Sequence, residues 1–282
     1  MNDLVFVDST FDKNKSKEYI LSIRVSSDGF SFSILDATNT CIALERFKEF
    51  KQSSGADSSD SFKELIRNSE LLNLSFKKVF VLWVSNQSVL IPNQFFSNEF
   101  VFESYQLCHT LTQEDELHWN NIKALDSWNV FAVPIRFKDI LVKQFTVVEF
   151  FHHSTPFYAS AIKEEISDKH PNVYVNLQKE FFHIIIPDRN GKHFINSFAY
   201  REDCDLAYYI LNVYKQQKLN NERSRLIIDG LVQDECKVIQ LLKKYLAKLE
   251  VRLLPSKLRI KDEIPTKEYN QFINLLKLSE CE

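Results

Sequence analysis

His152-His153 is the first pair to weigh, because imidazole titrates near neutrality and ligates metals. The pair closes TVVEFFHHS, which reads as a strand, and consecutive strand residues point to opposite faces. The two rings are expected to diverge. With no second cluster at ligand spacing, the sequence assigns them a structural role and no metal site. Cys108-His109 offers a nucleophile and a base by type, yet neighbours on a helix also diverge. Residues 194–217, FINSFAYREDCDLAYYILNVYKQQ, gather aromatic rings around Glu202, Asp203 and Asp205 and so resemble an active-site segment. Their periodicity says otherwise. Phe194, Asn196, Phe198 and Tyr200 share one strand face, and Asp203 or Asp205 then caps a helix. On that helix Leu206, Tyr209 and Ile210 face inward, with Tyr208 and Tyr214 farther around. Asp36, Asp126, Asp188 and Asp229 do not form a recognisable carboxylate set for a two-metal nuclease. The patterns G-x-G-x-x-G, G-x-S-x-G, H-E-x-x-H and the P-loop are missing, and no catalytic residue is assigned.

Composition narrows the classes further. The chain has 282 residues and a net charge of −3, which gives no electrostatic footprint for nucleic acid. Its longest apolar runs, such as VFVLWV, are too short for a bilayer span, and MNDLVFVDST lacks the apolar core of a leader peptide. Cys41, Cys108, Cys204, Cys236 and Cys281 form no C-x-x-C pair and read as reduced thiols. A cytoplasmic protein is the expectation. Phe occurs 24 times and Gly only 4 times, and glycine scarcity disfavours loops that press backbone against a phosphate.

The elements that position these residues repeat. EYILSIRV, FSFSILD and CIALERF read as three antiparallel strands, with Asp28-Gly29 at the first turn. After the polar loop 51–61, SFKELIRNSELLN follows at helical spacing, then the strand KVFVLWV. NVYVNLQ, FFHIIIPD and KHFINSFAY make three strands again, followed by the helix DLAYYILNVYKQQ and the strand RLIID. A shift of 152 carries Phe30-Phe32-Ile34-Asp36 onto Phe182-Ile184-Ile186-Asp188, which indicates an internal duplication. Between the copies, SVLIP, two strands about Asp126-Ser127, IRFKDILVKQF and PFYASAIKEEIS add an α/β segment. DECKVIQLLKKYLAKL reads as a long helix and PTKEYNQFINLLKL as a last one.

Two copies of a three-strand meander, helix and strand form the unit of the actin-like ATPase fold within the ribonuclease H-like architecture. WNVFAVPIRFKDILVKQF resembles a strand, Val-Pro and helix step of actin-like ATPases, including the pilus-assembly branch. FINSFAYREDCDLAYYILNVYKQQ, RLIIDG and LLKLSECE resemble, more specifically, a family of uncharacterised bacterial proteins, mainly from Bacteroidetes, assigned to that fold. The resemblance implies an α/β duplicated fold of two lobes with mixed sheets: residues 1–168 with the inserted segment, and 169–282 with a C-terminal helix. It also implies an interlobe cleft near Ser26 to Gly29, Gln178 to Glu180, and Asp229-Gly230.

Working members use acidic-x-Gly turns to bring backbone N–H groups to phosphates while a carboxylate organises Mg²⁺. Here Asp28-Gly29 reads as an ordinary turn, LQKE at the second tip has no glycine, and Glu180 would face an incoming phosphate. A late Gly-Gly pair is reduced to Asp229-Gly230. Asp28, Gly29, Asp229 and Gly230 are therefore the cofactor-binding candidates if a nucleotide binds, while ATP with Mg²⁺ is disfavoured and no cofactor is expected. The expectation is a non-catalytic binding or scaffolding protein with a protein partner, no nucleic acid and no membrane insertion. The alternative is a divergent ATP-binding protein with slow or regulatory hydrolysis.

Overall fold

Phe30, Phe32 and Ile34 alternate with Ser31 and Ser33, and this period of two becomes strand β3 (Gly29–Leu35). In the computed structural model, which describes residues 4–27, 29–48, 58–164, 170–232, 236–252 and 272–278, β3 pairs antiparallel with β2 (Ile20–Ser26) and β4 (Cys41–Lys48). Strand β5 (Lys78–Trp83) joins β2 in parallel, and β9 (Val148–His152) joins β5 in parallel. An edge strand, β1 (Leu4–Val7), lies ahead of the first strand expected from the sequence and pairs with β4. Helices α1 (Ser58–Asn68) and α3 (Ile135–Gln144) bury Phe62, Ile66, Phe137 and Leu141 against the phenylalanine face. Phe62 meets Phe30 edge-on at 5.1 Å, an arrangement favoured by the ring quadrupoles.

The second sheet repeats the plan. Strands β10 (Val173–Leu177), β11 (Phe181–Ile186) and β12 (Phe194–Ala199) form the meander, followed by helix α5 (Asp203–Gln216) and strand β13 (Leu226–Gly230) parallel to β10. A last strand, β14 (Leu249–Val251), pairs in parallel with β13. The orders β4-β3-β2-β5-β9 and β12-β11-β10-β13-β14 correspond strand for strand, as the duplication requires. Inserted between them is a third sheet, β6 (Ser88–Pro92), β8 (Ser127–Pro134) and β7 (Asp115–Ile122), flanked by helix α2 (Val101–Gln106). Asp126 makes the β7–β8 connection at φ 47°.

Among the described residues, two helices cross between the halves. Helix α4 (Ser154–Glu164), which follows β9, packs Phe157, Tyr158 and Ala161 against Tyr174, Ile185 and Ile227 of the second sheet. Helix α7 (Ile273–Leu276), expected with the second half, lies with its flanking Phe272 and Leu278 against Leu35, Leu44, Phe80 and Leu82 of the first. Ser22, Ser31 and Ser33 are fully buried on the face opposite the phenylalanines. Short side chains there leave room for α7 to approach β2 and β3.

Several local expectations are corrected. The cap of α5 is Glu202, and Asp205 accepts the N–H groups of Arg201 and Glu202 at 3.2 and 3.1 Å; Asp203 stays exposed. Tyr214, one turn beyond Ile210, is buried and its O–H donates to Ser224 O, whereas Tyr209 is only half-buried and stacks on Phe198 at 5.1 Å. Tyr209→Ala is therefore expected to cost about 2 kcal/mol, below the cost of a fully buried ring, and exposed Tyr208→Ala less than about 0.5 kcal/mol. Equal denaturant midpoints for the two variants would refute this assignment of faces. Helix α6 (Lys237–Leu242) is also shorter than its sequence pattern, because the chain turns at Lys243–Leu246 to bring β14 beside β13.

Candidate functional site

The tips of the two corresponding hairpins face each other across the seam between the sheets. At the first, Ser26 pairs with Gly29, and the Ser26 hydroxyl donates to Gly29 O at 3.0 Å. Asp28 lies outside the described residues. At the second, the N–H of Gln178 donates to Phe181 O at 2.9 Å, closing a two-residue turn that leaves Lys179 and Glu180 exposed. Tyr200 clamps this turn from the side, its O–H donating to Gln178 O and its N–H to Glu180 O.

A buried series of side chains joins the tips. Arg24, only 6% exposed, donates through Nη1 to Ser26 Oγ at 2.7 Å and through Nη2 to Gln178 Oε1 at 3.0 Å. Gln178 Nε2 donates to Asn176 Oδ1 at 2.7 Å, and Asn176 Nδ2 donates to Asp229 Oδ1. Asp229 Oδ2 then faces Arg252 Nη1 at 3.7 Å, and Arg252 Nη2 reaches Glu164 of α4 at 2.7 Å. Burial raises the Asp229 carboxyl above its usual pKa, an effect partly offset by Arg252 and Asn176. Each side chain of this series has a protein partner, the condition under which buried polar networks rigidify a structure.

Gly230 serves the sheet. Its φ is +92°, and a Cβ there would overlap Leu177 O, so β13 lies against the end of β10 closer than a side chain permits. Gly29 also has positive φ, 137°, at its turn. The sequence candidates Gly29, Asp229 and Gly230 thus all lie at the strand ends bordering the seam.

The histidines depart from expectation. Strand β9 stops at His152, and His153 begins the turn into α4, so the rings of neighbouring residues converge instead of diverging. Their centroids lie 4.5 Å apart, and His183 of β11 completes the group with its ring 4.7 Å from that of His153. All three are at most 1% exposed. His152 Nε2–H donates to Ser85 O at 3.0 Å, and its Nδ1 accepts from the Ser154 hydroxyl at 2.7 Å. His183 Nδ1 pairs with Tyr158 Oη at 3.1 Å. Both ring nitrogens of His153 and Nε2 of His183 lack a partner in hydrogen-bond geometry, although the backbone at Trp83 and at Ser85 lies close enough to the two rings to oppose part of their pKa lowering. Burial pulls all three pKa values down, that of His183 to about 3, so each imidazole is neutral at pH 7. Nearby imidazoles add to the effect at His152 and His153, and Arg24 adds at His153.

The other sequence candidates stay apart. Cys108 is exposed beyond α2, and His109 Nε2 pairs with Ser88 O at 3.3 Å. Asp36 and Asp188 accept N–H groups within their own turns, while Asp229 is buried in the network. A groove of about 630 Å³, bordered by Phe11, Glu45, Phe47 and Leu71, lies on the α1 side of the first sheet, away from the seam.

Arg24, Asn176, Arg252 and His183 escaped the sequence reading, which places Gln178 and Asp229 of this series at the cleft, but a signal existed. The shift of 152 carries Arg24 onto Asn176 and Ser26 onto Gln178, placing polar residues at matched positions of two otherwise apolar strands.

Paired meander sheets, helices crossing between them and hairpin tips opposed across the seam define the actin-like ATPase fold. The same fold is found in solved structures. A Bacteroides thetaiotaomicron VPI-5482 protein of unknown function is 26% identical, with a TM-score of 0.79 over 97% of this chain and 100% of that one. The chain in the PilM-PilN type IV pilus biogenesis complex is 12% identical, with a TM-score of 0.61 over 93% and 97%. Ethanolamine utilization protein EutJ from Carboxydothermus hydrogenoformans is 8% identical, with a TM-score of 0.50 over 98% and 93%. No curated protein matches the chain. Residues 8–249 match the family described as protein of unknown function (DUF3822), and the chain belongs to that family. Among the described residues, no helix is long and apolar enough to cross a membrane.

Proposed function

We propose that this protein is a non-catalytic actin-like binding or scaffolding module whose nucleotide cleft has been converted into a closed polar seam. The observation that carries the reading is the Arg24–Gln178 hydrogen bond, which ties one hairpin tip to the other. The residues present fit Mg·ATP poorly. Gln178 N–H is committed to Phe181 O, residues 179–180 are not glycine, and the guanidinium of Arg24 crosses between the tips. Each backbone donor withheld from a phosphate removes a charge-assisted hydrogen bond of roughly 1.5–3 kcal/mol, so loss of two weakens binding by about two to four powers of ten.

The chain's task on this reading is to hold a protein partner in the cytoplasm, on lobes spanning residues 1–168 and 169–282, with α4 and α7 packed across the seam. The PilM-PilN complex supports the idea of a partner, since a protein of this fold is there held in a protein complex. Calorimetry with ATP, with and without Mg²⁺, is expected to detect no binding up to millimolar concentrations, and a phosphate-release assay no turnover. Micromolar Mg·ATP binding to the wild-type chain would overturn the reading in favour of a divergent ATP-binding protein.

A further inference from the structure

We propose that His152, His153 and His183 form a binding site for one divalent transition-metal ion of the zinc class, tying the end of β9 to β11 across the seam. One ligand nitrogen from each ring lies within 4.8 Å of the other two, and all three rings are buried. The poorly paired nitrogens carry the inference. His153 places two ring nitrogens in the interior with no partner in hydrogen-bond geometry, only the nearby backbone of Trp83, and a buried polar group left so poorly paired costs about 1–3 kcal/mol. A phenylalanine would fill the same space without that cost, so an aromatic packing role does not explain an imidazole here.

The hydrogen bonds also prepare the ligands. His183 uses Nδ1 toward Tyr158 Oη, leaving Nε2 without a partner in hydrogen-bond geometry, and a fixed partner on the far ring nitrogen is the usual way a metal-binding imidazole is oriented. His153 can offer either nitrogen. His152 must release one bond, to Ser85 O or to Ser154 Oγ, in order to ligate. Zinc–nitrogen bonds of about 2.0–2.1 Å in tetrahedral geometry set nitrogen separations of roughly 3.4 Å, so the rings draw together slightly when the ion enters.

The ligand set selects the ion. Three neutral imidazoles suit Zn²⁺, Co²⁺, Ni²⁺ or Cu²⁺, and the absence of oxygen anions in the set disfavours Mg²⁺ and Ca²⁺. Arg24 opposes added positive charge near His153. The ion consequently binds less tightly than a three-histidine set without a neighbouring cation would allow. Its role is to latch the seam beside the Arg24–Gln178 bond. The inference does not depend on the absence of nucleotide binding.

The test uses the untagged full-length chain, stripped with chelator, dialysed, and titrated with Zn²⁺, Co²⁺ and Mg²⁺. Elemental analysis should find one Zn²⁺ per chain, Zn²⁺ should raise the thermal midpoint, Co²⁺ should give visible ligand-field bands, and Mg²⁺ should do nothing. Tyr158→Phe, which removes the partner of His183 Nδ1, should weaken Zn²⁺ about 10–100-fold while the protein remains folded. His153→Phe should abolish stoichiometric binding. Lack of stoichiometric Zn²⁺ on the wild-type chain, or binding unaltered in both variants, would overturn the proposal. So would a higher thermal midpoint for His153→Phe together with no Zn²⁺ effect on wild type, the behaviour of a purely aromatic cluster.

Discussion

Gly230→Ala is expected to destabilise the protein by more than about 4 kcal/mol, enough to leave much of it unfolded at 37 °C. Two costs combine. A residue with a Cβ pays roughly 1–2 kcal/mol to hold the left-handed region, and Gly230 sits at φ +92°. The added methyl would also overlap Leu177 O and stand 2.9 Å from Leu177 N. Both are backbone atoms of a paired strand, so relief requires pulling β13 away from β10. Destabilisation of this size follows where backbone strain and steric overlap coincide. Gly191→Ala supplies the control. That glycine has φ +77° but nothing within 4 Å of its would-be Cβ, so its loss should cost only the backbone part, about 1–2 kcal/mol. Urea denaturation of both variants measures the difference, and equal midpoints would show that the Leu177 contact relaxes freely. The same geometry means that a substitution at Gly230 cannot report on a ligand, because it perturbs the sheet first.

How far the sequence reveals this molecule depends on the range of the interaction involved. Local periodicity was enough for both meanders, for α1, α3 and α5, and for β7 and β8 about Asp126, because strands and amphipathic helices write their buried faces into neighbouring residues. Strand β1 escaped because four residues of an edge strand carry too little pattern. The pattern of α6 continues to residue 249, but the parallel pairing of β14 with β13 overrides it. The histidine cluster required two facts beyond local sequence: that β9 ends between His152 and His153, and that β11 brings His183, from a different sheet, to meet them. The seam posed a similar problem. Arg24 looks like a misplaced charge in an apolar strand until Gln178, 154 positions away in the chain, becomes its partner.

Arg252→Ala should cost about 3–5 kcal/mol at pH 7, and that cost should shrink as the solution is acidified. Arg252 is 8% exposed and faces Asp229, itself 2% exposed, with Lys277 a weaker cationic neighbour of the same carboxylate. Removing one member of a buried pair leaves the other charge uncompensated, which is far costlier than losing a surface bridge. The Arg252 guanidinium also lies over the Tyr174 ring at 5.3 Å, so some packing goes with it. The pH dependence separates these parts. Burial already raises the Asp229 pKa above its ordinary value, and without Arg252 it rises further. A carboxyl with a raised folded-state pKa binds more protons folded than unfolded. Its contribution is favourable below the unfolded value near 3.8 and is lost as pH climbs through the folded value. The variant should therefore approach wild type as pH falls toward 4, retaining only the loss of packing and of the bond to Glu164. Asp229→Asn, which removes the charge while keeping an acceptor for Asn176, should make a second Arg252→Ala substitution much cheaper at pH 7. Urea midpoints of the two single variants and the double variant at pH 7 and pH 4.5 complete the cycle. If Arg252→Ala costs the same at both values and the same in the Asp229→Asn background, its loss acts through packing alone and the charge pairing at the seam contributes nothing.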